Sequence, residues 1–79
     1  NIKVWPNPAS GVVNMMLEGD LPAGNVNADI FNMRGEKVMT VILNHERRCA
    51  FDLADQPAGV YLLQVITGNQ RFVERIIRR

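Results

Sequence analysis

Short apolar segments separated by turn-forming residues are the feature that most constrains this chain. Glycine, proline, asparagine and aspartate stand between runs rich in Val, Ile, Phe and Met, and a helical period is scarcely present. The clearest segment alternates strictly, with Val26, Ala28 and Ile30 on one face and Asn27 and Asp29 on the other. The pattern therefore predicts β-strands joined by turns.

Seven segments of the sequence satisfy this pattern. They are residues 2–5, 12–17, 26–30, 37–43, 48–53, 60–66 and 71–77. Strands of this length and spacing favour two packed antiparallel sheets, so the expected fold is all-β, a small immunoglobulin-like β-sandwich of about seven strands. Because Cys49 is the only cysteine, the disulfide of antibody domains is not expected.

Turn residues indicate how these strands are connected. Gly35 can adopt positive φ without a Cβ clash, so residues 32–37 predict a hairpin, and residues 67–70 predict another. Pro6 and Pro8 lack amide donors, so the first strand must lie at an edge or end there. Residues 60–66 are almost entirely apolar, which predicts a central strand covered on both sides. Residues 18–24 are expected to form a loop.

Size and charge exclude several classes of protein. A chain of 79 residues has room for one domain, and 47% hydrophobic with 22% charged residues is the balance of a folded domain. No apolar run is long enough for a membrane-spanning helix. The net charge of +1 is too small for general nucleic-acid binding, although residues 71–79 hold four arginines against one glutamate.

Few side chains could perform catalysis or bind a cofactor. The chain has one serine (Ser10), one histidine (His45) and one cysteine (Cys49), and Cys49 alternates with core-type residues, so it is interpreted as structural. One cysteine and one histidine cannot complete a zinc site. Glu18 and Asp20 share a loop but lack the spacing of a calcium site. Neither an enzyme nor a cofactor is predicted.

Four motifs follow one another along nearly the whole chain. They are Trp-Pro-Asn-Pro at residues 5–8 followed by Gly11, Asn-Met-Arg-Gly-Glu-Lys-Val at 32–38, Gln-Pro-Ala-Gly-Val-Tyr at 56–61, and a basic, apolar final strand. In this order they resemble the type A C-terminal sorting domain of the type IX secretion system, also called the Por secretion system, of Bacteroidetes.

The resemblance implies a non-catalytic secretion signal. Residues 1–79 would be a single sorting domain cut from a longer exported parent, with an N-terminal cargo domain on the same polypeptide. The parent would cross the periplasm, pass the type IX outer-membrane translocon and become secreted or attached to the cell surface. A sortase-like peptidase would remove the domain, cutting close to Asn1 or upstream of it.

Individual positions carry the resemblance. The family motif positions are Pro6, Asn7, Pro8, Gly11, Gly35, Gly59 and Tyr61. Trp5 stands where the family more often has tyrosine. The closing strand matches at Arg75, Ile76, Ile77 and Arg78, where arginine replaces the more usual lysine.

The basic final strand is the part of the motif that turn geometry does not explain. We expect an open strand edge that a translocon component captures by strand addition, with positive side chains giving selectivity. The expected recognition residues are Arg71, Arg75, Ile76, Ile77, Arg78 and Arg79.

Two other functions fit a β-sandwich of this size. In a carbohydrate-binding or adhesive module, Trp5 and Tyr61 would form a stacking platform, although isolated aromatic residues more often pack in a core. A structural spacer would stabilise its parent without addressing it. The isolated domain is also a possible homodimer, because exposed edge strands can pair or swap.

Overall fold

The computed structural model describes residues 1–19, 26–43 and 47–79. Each predicted strand is confirmed, with ends that move by no more than a few residues. The strands are β1 (Ile2–Trp5), β2 (Val12–Leu17), β3 (Val26–Phe31), β4 (Lys37–Leu43), β5 (Arg48–Asp52), β6 (Gly59–Thr67) and β7 (Gln70–Arg78). Part of the predicted loop at 18–24 lies outside the described residues.

The strands form two antiparallel sheets, which confirms the predicted sandwich. One sheet has the order β1-β2-β5 and the other β4-β3-β6-β7. β1 is an edge strand that ends at Trp5, as the two prolines after it require. The β6–β7 hairpin is in continuous register from Thr67↔Gln70 to Gly59↔Arg78. The last strand therefore lies at an edge of the larger sheet.

The core lies between the two sheets and is built from alternate residues of each strand. Val13, Met15 and Leu17 of β2 face Tyr61, Leu63 and Val65 of β6 across it, together with every second residue of β3. Burying an aliphatic side chain of this size is worth roughly 1.5 to 3 kcal/mol, so this alternation fixes which face of each strand turns inward.

One expectation about β6 is wrong. The strand is central, but it is covered on one face only, since Leu62 is 37% and Ile66 57% exposed. A two-layer sandwich has no third layer to cover the outer faces of its sheets. The apolar residues at these positions consequently form part of an exposed outer surface.

The β3–β4 hairpin forms where Gly35 predicted it. Gly35 has φ of 82°, and the Asn32 side-chain oxygen accepts hydrogen bonds from the amides of Arg34 (2.9 Å) and Glu36 (3.0 Å). The Asn32 side-chain nitrogen donates to the Glu36 carboxylate at 2.9 Å. The turn therefore depends on the positive φ of Gly35 and on the hydrogen bonds of the Asn32 side chain.

Replacing Gly35 tests this backbone requirement. Gly35→Ala should lower the free energy of unfolding by about 1 to 2 kcal/mol, because a Cβ is disfavoured at positive φ, while the space around it is open. Gly35→Asn should cost less, since asparagine tolerates this region better. Denaturant unfolding of both variants measures the difference, and equal losses for alanine and asparagine would contradict the backbone explanation.

Candidate functional site

The basic end of the chain forms β7, which is an edge strand of the larger sheet. Arg71, Arg75, Ile77 and Arg79 are exposed, and Arg78 is half-buried. Ile76 is fully buried in the core. Of the expected recognition residues, Ile76 therefore anchors the sheet in the core, and the others are at least partly accessible to solvent.

Arg78 is used within the domain. Its Nε donates to the main-chain oxygen of Leu53 at 3.0 Å and its Nη2 to that of Ala54 at 3.2 Å. Both acceptors follow β5, which belongs to the opposite sheet. These charge-assisted bonds connect the end of β7 to the facing layer of the sandwich.

Arg71 and Arg75 are oriented toward the outer surface of the larger sheet. The Nε of Arg71 donates to Gln64 Oε1 on β6 at 2.8 Å, which orients its guanidinium group. Among the described residues the ion pairs are Lys3 with Glu18 and Lys37 with Asp29, so neither arginine has an acidic partner there. Their positive charge remains available to a binding partner.

The Asn7 side chain closes part of the free edge of β7. Its Nδ2 donates to the main-chain oxygen of Arg75, and its Oδ1 accepts from the main-chain amide of Ile77, both at 2.8 Å. One amide side chain thereby replaces the donor and acceptor of a neighbouring strand. Because Pro6 and Pro8 lack amide hydrogens, the side chain of Asn7 is the donor that this segment offers beside Arg75.

Ala9 extends this closure toward the end of the chain. Its amide donates to the Ile77 oxygen, and its oxygen accepts from the Arg79 amide, each at 2.8 Å. Ala9 is fully buried and forms a parallel bridge with Arg78. We call Asn7 and Ala9 the edge latch.

The edge latch corrects part of the expectation that the last strand has an open edge. The edge is occupied from Arg75 to Arg79 by the segment that carries the Pro-Asn-Pro motif. From the sequence, the two prolines indicated only that the first strand lies at an edge or ends there. The contact with β7 was missed, since partners about 70 positions apart in the chain leave no local pattern.

The remaining motif positions have structural roles. A Cβ on Gly11 would lie 3.1 Å from the Asp52 carboxylate, which accepts a hydrogen bond from the Ala54 amide. Gly59 begins β6. Tyr61 is buried, and its hydroxyl donates to the main-chain oxygen of Pro57, as in the tyrosine corner of immunoglobulin-like folds.

The residues considered for other chemistry do not come together. Trp5 is 39% exposed whereas Tyr61 is buried, so they form no common stacking platform. Glu18 pairs with Lys3 at 3.6 Å, and its expected neighbour Asp20 lies outside the described residues, as does His45. No cluster of metal-ligating side chains occurs in the described part of the chain. Cys49 is half-buried, and burial raises the pKa of its thiol.

Comparison with known protein families identifies a match over nearly the whole chain. The sequence model of a family described as secretion system C-terminal sorting domain matches residues 3–79. No curated protein matches the sequence. Across residues 1–19, 26–43 and 47–79 there is no helix with the length and apolarity to cross a membrane.

Removing the edge latch should destabilise the domain. Asn7→Ala deletes both bonds to β7, so we expect the free energy of unfolding to fall by about 1 to 2 kcal/mol. Asn27→Ala, on the exposed face of β3, is the matched control and should change stability by less than about 0.5 kcal/mol. Denaturant titration measures both, and equal stability of the two variants would show that the Asn7 side chain of the latch contributes nothing.

The Cys49 thiol should react slowly in the folded domain. Since its pKa is raised by burial, a smaller fraction is thiolate, the nucleophilic form, at any given mildly alkaline pH. Modification by an aromatic disulfide at pH 8 should be slower in buffer than in denaturant, and the folded-state rate should keep rising above the usual thiol pKa. A folded rate equal to the unfolded rate would place Cys49 outside the core.

Proposed function

The chain belongs to the family of secretion system C-terminal sorting domains, those of the type IX secretion system, and we propose that it directs an attached cargo domain through the outer-membrane translocon. Domains of this family are non-catalytic sorting signals that the type IX machinery recognises. A protein that carries one is exported to the cell surface or released.

The observation that supports this proposal is the extent of the family match. It covers residues 3–79, so it includes both the Pro-Asn-Pro segment and the last strand that this segment contacts. The sandwich supplies a stable frame, and Arg71 and Arg75 of β7 present positive charge that no acidic side chain of the described residues neutralises. An acidic surface on a binding partner would complement this charge.

We assign recognition to the exposed members of the closing strand. Arg71, Arg75 and Arg79 present positive charge, and Ile77 adds a 38% exposed apolar side chain. Ile76 and Arg78 act indirectly, since one fills the core and the other binds the opposite sheet. Arginine suits such a role because its planar guanidinium can bind a carboxylate through two hydrogen bonds.

We propose the following export route for the parent protein. The parent crosses the inner membrane, the domain folds in the periplasm, and the translocon reads the folded domain. A sortase-like peptidase then separates the domain from the cargo, which is attached to the surface or released. A glycan-binding function is less favoured, because Tyr61, the second residue of the expected stacking platform, is buried while Trp5 is exposed.

A reporter fusion tests the sorting function. Residues 1–79 are fused to the C-terminus of a periplasm-directed fluorescent protein in a host with a working type IX translocon and in a translocon-deleted twin. We expect reporter outside the cells of the first host only. Retention in the periplasm of both hosts, with the fusion shown to be folded, would refute the proposal.

Charge reversal tests the assigned residues without removing a core strand. Arg75→Glu combined with Arg79→Glu should reduce export about tenfold or more, since attraction to the partner becomes repulsion. Arg34→Glu combined with Arg48→Glu, at exposed positions elsewhere, makes the same change in net charge and should leave export unaltered. Equal export by both variants would exclude a specific role for the closing strand.

A further inference from the structure

We propose that residues 71–73 of β7 accept a short extended segment of a partner protein as an additional strand, and that this segment carries two acidic side chains flanking an apolar one. We call residues 71–73 the open edge segment. The inference rests on the proposed sorting function and names the chemistry of the partner that reads the domain.

The direction of the backbone groups follows from the sheet register. In an antiparallel ladder, the amide and carbonyl of alternate residues face the same neighbour. The amide and oxygen of Ile77 and the oxygen of Arg75 bond to the edge latch. The backbone amides and carbonyls of odd-numbered residues of β7 therefore point away from β6, in the plane of the sheet. The amides and carbonyls of Arg71 and Val73 therefore also point outward.

These outward groups have no strand partner within the described residues. β7 pairs with β6 alone, and the edge latch begins only at Arg75. Natural proteins cover or blunt such edges because unpaired backbone groups invite strand addition. Here the fold closes one half of the edge and leaves the other half without a strand partner in the described residues. β1 of the other sheet also lies close to β7, which limits an incoming strand to a short stretch.

The side chains beside the open edge segment define what the partner must carry. Arg71, Val73 and Arg75 share the outer face of the sheet, with the two arginines roughly 13 Å apart along the strand. Val73 is 46% exposed and, with Phe31 and Leu62, lines a shallow pocket of about 310 Å³. Cross-strand pairing favours opposite charges and apolar contacts, so the partner segment carries an acidic residue opposite Arg71 and an apolar residue opposite Val73. A second acidic residue beyond the paired stretch reaches the long side chain of Arg75, which gives the sequence acid-x-apolar-x-acid.

Charge disfavours a second copy of this chain as the occupant. An antiparallel β7–β7 pair centred on Val73 would place Arg71 of each copy opposite Arg75 of the other. Like charges directly opposite each other destabilise a strand pair. An acidic segment of a different protein has no such conflict.

Proline substitution at the two edges of the sheet tests the inference in the full fusion. Val73→Pro removes an outward-facing amide that β6 does not use, so the hairpin can persist. Ile42→Pro is the matched control, because Ile42 is exposed on β4 and its amide also faces away from its only neighbour, β3. Both variants are compared with the unchanged fusion in the translocon-competent host, and thermal unfolding verifies that each is folded.

We expect Val73→Pro to reduce the exported fraction about tenfold and Ile42→Pro to leave it unchanged. Equal export by all three fusions would overturn the inference while leaving the sorting function intact. Failure of the unchanged fusion would instead refute the sorting function. Full export of a folded Val73→Pro variant would also favour contact with an anionic lipid surface, which requires no backbone amide.

A second pair of variants decides the matter if the proline variant fails to fold. Arg71→Glu with Arg75→Glu should abolish export, whereas Arg71→Gln with Arg75→Gln should lower it less, because the neutral pair does not repel an acidic strand. Equal export by the reversed, neutral and unchanged fusions would contradict the acidic partner. A dimer of the isolated domain that Val73→Pro dissociates would identify a second copy as the occupant and likewise overturn the inference.

Discussion

The closing strand has a defined position because one asparagine side chain takes the place of a neighbouring strand. β7 lies at the edge of its sheet, so it pairs with β6 on one side only, and β1 of the facing sheet approaches it. Asn7 supplies a donor and an acceptor to Arg75 and Ile77, and Ala9 continues the contact to Arg79. These bonds join the segments at the two ends of the chain. They cover the free edge of β7 on either side of Ile76, the residue that anchors the strand in the core.

This closure gives the two halves of β7 different properties. From the Arg75 oxygen onward the edge is bonded to Asn7 and Ala9, Ile76 is fully buried, and Arg78 reaches across to the opposite sheet. Before Arg75 the outward backbone groups are unpaired by any described strand, and Arg71 is oriented by Gln64 beside an apolar outer surface. In β7, a half that is held by internal bonds therefore lies beside a half whose outward backbone groups have no strand partner. Under the proposed sorting function both halves would contribute, because rigidity lowers the entropic cost of binding and the unpaired half would provide specific contacts.

The local features of the fold could be predicted from the sequence. Strict alternation located β2 and β3, and Gly35 located a hairpin, because strand period and turn chemistry are properties of neighbouring residues. The outer exposure of Leu62 and Ile66 was not predictable from an apolar run, since it depends on how many layers the fold has. The contact of Asn7 with β7 depends on tertiary structure in the same way. As a result, the sequence predicted the basic strand but neither the closure of its edge nor the core position of Ile76.

The most direct test of this account is amide hydrogen exchange along β7, measured residue by residue by NMR in the isolated domain. The even-numbered amides bond to β6 and should be protected, as should those of Ile77 and Arg79, which bond to the edge latch. The amides of Arg71 and Val73 should exchange rapidly although they belong to the same strand. Protection at Val73 equal to that at Ile77 would contradict an edge that is closed in one half and open in the other.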